Sequence, residues 1–194
     1  MSTKKRLSHE DSRRVALEAA QTLLLESGPQ AVTLKAVALR VGRTHSNLLH
    51  HFGSASGLQR SLAGHLASSV CDTIGQAVFA RREGTATARE LVDMIFDAFD
   101  REGAGALASW VIASGNEDAL EPIFAAIREL VERIAQDGEE ERIIKDMTMM
   151  MVLPAMGNAM IGEALAASLD MDRDRSRFLI ADRLQEALPR GRAG

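Results

Sequence analysis

Between Gly42 and Phe52 the chain reads GRTHSNLLHHF, a run crowded with side chains that hydrogen-bond in different ways. Arg43 carries a planar guanidinium that matches either a phosphate or the O6/N7 edge of guanine. Asn47 offers the paired donor and acceptor that suit adenine, while Thr44 and Ser46 suit phosphate oxygens. His45, His50 and His51 add further donors. Carried on one helix, such a set is complementary to the edges and backbone of a nucleic acid. Signals for other chemistry are absent. There is no HExxH, no phosphate-loop pattern, and Ala55 stands where a nucleophile elbow in Gly53–Gly57 would need serine. His50, His51 and His65 lack metal-ligand spacing, so no metal, cofactor or enzymatic activity is expected.

The preceding residues can position that set. Thr33 is a helix cap, and Leu34, Val37, Ala38 and Val41 follow at the i, i+3, i+4, i+7 spacing of a buried stripe. Gly42 then allows a left-handed stop, and Thr44 can cap a second helix whose apolar edge is Leu48 and Phe52. Helix, glycine turn and a second helix with a polar N-terminal half form the outline of a helix-turn-helix DNA reader. Upstream, Ser8 or Asp11 can cap a first helix running to about Ser27, with Gly28-Pro29 ending it. Met1 to Leu7 is a polar, basic arm.

Downstream, Ser54 caps a long helix expected over 55–79, which would join head to body. Thr87 caps a helix through Phe99, and further helices are expected over 106–114, from Glu117 or Pro122 to Gln136, over 139–168 and from Asp174 to about Leu188, where Pro189 stops the last. Pro154 should kink or divide the helix that contains it. The expected fold is all-α, about nine helices in two domains: residues 1–53, an arm and three-helix head, and residues 54–194, a helical bundle for effector binding and dimerisation.

Bulk properties agree. The 194 residues are 46% hydrophobic but only 4% aromatic, and one cysteine, Cys71, excludes an intrachain disulfide. No apolar leader is evident and no run approaches ~18 uninterrupted apolar residues, so a cytoplasmic protein without a membrane span is expected. The net charge of −4 argues against nucleic acid, but its distribution reverses that. Residues 1–60 carry nine Lys and Arg against four Asp and Glu, a net of +5, and the remainder carries −9. A basic head on an acidic body is an electrostatic footprint for a phosphate backbone.

Residues 12–62 resemble the DNA-binding head of TetR-family transcriptional regulators. Thr33, Val37, Ala38, Gly42, Thr44, Leu48, His51, Phe52, Ser54 and Leu58 fall in register with that pattern, and AAQTLLLESGPQAVTL is similar to its first helix and loop. Two positions depart from it: Leu49 replaces a common phosphate-contacting tyrosine, and Ala55 a common lysine. The resemblance implies a homodimeric, ligand-responsive regulator, with Arg13, Thr33, Lys35, Arg43, Thr44, His45, Ser46, Asn47, His50, His51 and Ser54 toward double-stranded DNA carrying two palindromic half-sites. A helical adaptor or small-molecule-binding protein with weakened DNA affinity is the alternative, and a constitutive DNA binder a third.

Two further clusters bear on the body. Met147, Met149, Met150, Met151, Met156 and Met160 gather six of nine methionines, which suit either core filling or an adaptable apolar pocket. In the second case Met147 and Met151 would join Met94, Phe96, Phe99, Trp110, Phe124 and Ile127 around a small apolar or aromatic effector. Small residues at Ala155, Ala159 and Gly162, with Phe178, Ala181 and Leu184 of the last helix, are expected at a four-helix dimer interface.

Overall fold

The computed structural model describes residues 8–115, 117–135 and 138–187, all helix, turn or connection without a strand among them. The basic arm, Asn116, Gln136, Asp137, Leu188 and Pro189 lie outside the described residues. Nine helices follow in order among the described residues. They are α1 (His9–Ser27), α2 (Leu34–Arg40), α3 (His45–Phe52), α4 (Ala55–Arg82), α5 (Ala88–Asp100), α6 (Ala104–Ala113), α7 (Glu121–Ile134), α8 (Gly138–Ser168) and α9 (Arg175–Ala187). Short 3-10 turns, Pro29–Ala31 and Glu117–Leu120, precede α2 and α7.

The caps expected from sequence form. The hydroxyls of Ser8, Thr33, Thr44 and Ser54 accept from the amides of Asp11, Ala36, Asn47 and Gly57 at 3.0–3.2 Å. Thr87 and Glu90 make a reciprocal capping box at the start of α5. Gly42 adopts φ 65°, the left-handed conformation that turns α2 into α3 at no Cβ penalty. α4 runs one turn beyond the expected Phe79, to Arg82, and α6 begins at Ala104, so Gly105 lies inside it rather than before it.

Pro154 does not end its helix. The α-helix continues to Gly157, passes through a π-helical turn, Asn158–Gly162, and resumes as Glu163–Ser168. The wide turn is built around Asn158, buried at 7% exposure, whose Oδ1 accepts from the Ser176 hydroxyl of α9 at 2.8 Å. A Cβ on Gly162 would lie 2.5 Å from that same Oδ1, so the glycine makes room for the asparagine. The turn is a polar lock between α8 and α9.

The apolar core does not divide at residue 53. One cluster joins Leu17, Leu24, Val37, Leu48 and Phe52 of the head with Leu58, Leu62 and Leu66 of α4 and Leu107 and Val111 of α6. A second packs α5 (Leu91, Val92, Ile95, Phe96) against Met147 and Ala155 of α8 and Ala181 and Leu184 of α9. Above it Arg177, 6% exposed, is held by Asp97 at 2.8 Å and Asp93 at 3.3 Å, and lies over the Phe96 ring. A buried guanidinium is tolerable only with such partners.

α8 is long and apolar enough, by length and composition alone, to cross a membrane, although charged residues, Pro154 and Asn158 interrupt its apolar run. One of its faces packs on α5 and α9. The other leaves Met149, Leu153, Met160, Ile161 and Leu165 exposed, and Phe178 and Leu179 of α9 are exposed as well.

Candidate nucleic-acid interface and internal cavity

The head presents the predicted polar face. Thr33, Lys35, Arg43, Thr44, His45, Ser46, His50 and Ser54 are exposed, and Asn47 is half-buried on the first turn of α3. Among the described residues Lys35, Arg43 and Arg60 make no salt bridge or hydrogen bond through their charged groups, so their charge is available to a partner. The capping hydroxyls of Thr33, Thr44 and Ser54 each accept an amide hydrogen bond and keep their own proton to donate outward.

Two predicted contacts turn inward. Arg13 donates to the His51 carbonyl at 2.8 Å and to the Ser61 hydroxyl at 2.6 Å, with its guanidinium 4.8 Å from the Phe52 ring centre. It is a strut joining α1, α3 and α4, not a free cation. His51 is half-buried, its ring 4.3 Å from that of His9, and its Nδ1 is buried with no hydrogen-bond partner. Burial holds the His51 pKa below its ordinary value, and the charges of His9, His50, Arg13 and Arg43 push it the same way. His51 thus packs between α1 and α3, less open than its neighbour His50. Arg40 and Arg14 are also engaged, with Glu26 and Glu18, so neither is a free cation on that face. Leu49, 42% exposed, and Ala55 leave that face without the tyrosine and lysine anchors of the resembled pattern.

The body holds a partly open cavity of about 710 Å³. Of the residues expected to line an effector pocket, Phe99, Ile127, Met147 and Met151 do so. Met94, Phe96, Trp110 and Phe124 do not. Phe96 (1% exposed) and Met94 belong to the α5–α8–α9 core, Trp110 packs against the head's core, and Phe124 is 51% exposed. Helical period marks Phe96 and Phe99 alike as apolar, but each helix buries part of its stripe against a neighbour and turns only the rest to the cavity. Sequence reading missed the contribution of α4: Leu66, Cys71, Ile74 and Val78 form one wall and Leu130 and Ile134 of α7 another. The apolar period of α4 through Ile74 was the available signal. Burial pushes the Cys71 thiol up to about 11, so it is a neutral wall residue. Leu66 and Leu107 line the cavity and also belong to the core beneath the recognition helix.

The expected dimer residues divide. Ala155 (0% exposed), Ala181 (8%) and Leu184 (1%) are buried within the subunit, and Leu184 lines the cavity, so these three are not an outer interface. Ala159 and Gly162 are half-buried against α6 and Asn158. Only Phe178 stands on the outer face, at 54% exposure beneath the Arg89 guanidinium. Small residues at helical spacing mark close packing, and here α5, α6 and α9 of the same chain use it.

Sequence comparison finds neither a matching family profile nor a curated relative. Structural comparison does find neighbours. Thermus thermophilus FadR, described as a TetR-family transcriptional repressor and solved with lauroyl-CoA, is 16% identical with a TM-score of 0.50, over 94% of this chain and 98% of its own. The multidrug binding protein EbrR, solved with imidazole, is also 16% identical at a TM-score of 0.50, over 93% of this chain and 97% of its own. The all-α fold is thus similar to that of TetR-family regulators along nearly the whole chain, as the head's motif implied.

Proposed function

We propose that the chain is a ligand-responsive, DNA-binding transcriptional regulator, a repressor released from its operator when a small apolar molecule fills the cavity. The observation that carries this reading is the sharing of Leu66 and Leu107 between the cavity wall and the core under α3. A ligand that spreads α4 from α6 strains the packing that sets the orientation of the head. Effector binding and DNA binding then favour different arrangements of one element, the requirement for coupling. The ligands of the two neighbours, lauroyl-CoA and imidazole, differ so much in size that the fold alone selects no effector. The wall chemistry of this chain selects an apolar one.

In this reading α3 enters the major groove of a half-site. Arg43 and Asn47 read bases, while Thr33, Lys35, Thr44, Ser46 and Ser54 hold phosphates. A homodimer spans two palindromic half-sites about 34–36 Å apart. Its interface is the exposed apolar face of α8 and α9, centred on Leu153, Ile161, Leu165, Phe178 and Leu179, in place of the buried alanines expected from sequence. Covering that face with a second copy also accounts for the apolar character of α8 in a cytoplasmic protein.

The test is titration of DNA flanking the protein's own gene at several salt concentrations, with and without apolar compounds. Specific binding with a steep negative salt slope, relieved by a compound that raises the melting temperature, supports the regulator. Absence of specific binding even at low salt removes it and favours a small-molecule-binding protein. Leu153→Asp or Leu165→Glu should give a folded monomer by light scattering; a dimer that persists in both places the interface elsewhere.

A further inference from the structure

The cavity is apolar along its length but not at one end. Its α4 wall runs from Leu66 to Arg82, roughly 24 Å at the ~1.5 Å rise of a helix. Thr148, Gln185, Arg81, Arg82 and Glu140 are the hydrogen-bonding side chains along that lining. Most have their own partners. The Thr148 hydroxyl donates to the Ile144 carbonyl at 2.8 Å, and Arg82 donates to the Ile134 carbonyl at 2.7 Å and pairs with Glu140. Arg81 is different: its half-buried side chain makes no hydrogen bond or ion pair among the described residues. With Arg82 paired to Glu140, Arg81 is the cation of this lining that holds no hydrogen bond or ion pair among the described residues, in a body whose net charge is strongly negative. A guanidinium beside an apolar wall is strongly favoured only when an anion meets it, and its planar fork suits a carboxylate or a phosphoryl group.

Resting on the effector reading above, we propose that the cavity takes an amphipathic anion. Its apolar body lies along Cys71, Ile74, Ile127 and Met147, and its acidic head pairs with Arg81, assisted by Gln185. An uncharged compound of the same shape fills the same space but leaves Arg81 unmatched. The charged ligand therefore binds more tightly, with a preference that shrinks as salt rises.

Calorimetric titration of the full chain with dodecanoate, dodecyl phosphate, dodecan-1-ol and dodecylammonium tests this below their micellar concentrations. At least one of the two anions should bind about tenfold more tightly than the alcohol, a difference of ~1.4 kcal/mol. Which anion binds better separates a carboxylate head from a phosphoryl one. Arg81→Gln should keep the alcohol's affinity and lose the preference, and Arg81→Glu should transfer it to dodecylammonium. Ile127→Trp, which fills the cavity, should abolish binding of every probe while the protein still melts cooperatively. Equal affinities for anion and alcohol in the unmodified protein, or a preference that survives both Arg81 variants, overturns the anionic assignment while leaving the apolar effector standing. Failure of all probes to bind overturns both.

Discussion

The guanidinium of Arg13 reaches from α1 to donate to the main-chain carbonyl of His51 at 2.8 Å, tying the first helix to the C-terminal turn of α3. That carbonyl is among the last of α3, which no later turn of the helix satisfies, so a cation there answers both the missing hydrogen bond and the negative helix end. The same guanidinium binds Ser61 at 2.6 Å and faces Phe52, joining three helices at one point.

Replacing Arg13 with alanine should therefore destabilise the head by about 2 kcal/mol, the scale of a lost charged hydrogen bond with its packing. Urea unfolding followed by Trp110 fluorescence reads it, since Trp110 packs against the same core. DNA affinity should fall for all sequences alike. A variant of unchanged stability and altered sequence preference would make Arg13 a DNA contact instead.

Asn47→Ala should change which bases are preferred, at about 1–3 kcal/mol for the position lost, while Lys35→Ala should lower affinity evenly and reduce the salt slope by about 1. Ala55→Lys should raise affinity without altering preference, by adding the phosphate anchor missing from that exposed position. Binding to randomised half-sites distinguishes these outcomes. Identical profiles for Asn47→Ala and Lys35→Ala would move the recognition surface off α3.

The head should weaken on mild acidification. The pKa of folded His51 lies below its ordinary value through burial and the positive neighbours His9, His50, Arg13 and Arg43. The folded state thus binds fewer protons than the unfolded one between the two pKa values. The stability that neutral His51 contributes is present above about pH 6.5 and is lost as pH falls through the folded pKa. Melting temperatures should drop from pH 7 to pH 5, and His51→Gln should flatten that slope. An equal slope in the variant would assign it to other groups.

Gly162→Ala should destabilise the α8–α9 contact by about 1–3 kcal/mol, because the new methyl lies 2.5 Å from Asn158 Oδ1. Asn158→Ala alone should also destabilise, by removing the acceptor for Ser176. The double variant should be less damaged than the two single effects added, since the clash needs both groups. Additive effects in denaturant unfolding would show that the glycine serves some other contact.

By itself the sequence determined the helices, their caps and the identity of the polar face. These depend on interactions within a few residues: Thr33 to Ala36, Thr44 to Asn47, and the turn at Gly42 that only a left-handed residue makes comfortably. Periodicity also marked which residues are apolar and share a face. It carried no information on what meets that face. Phe96 and Phe99 lie one turn apart on α5, yet Phe99 lines the cavity and Phe96 the α9 contact. Ala155 and Ala181 read as an outer interface and are internal, whereas Leu153 and Leu165 stand outside. Likewise Arg13 and Arg43 are equal charges in a sequence count. Only the packing of α1 across α3 and α4 consumes one and leaves the other free, because an ion pair or a buried carbonyl is supplied by whichever helix the fold brings near.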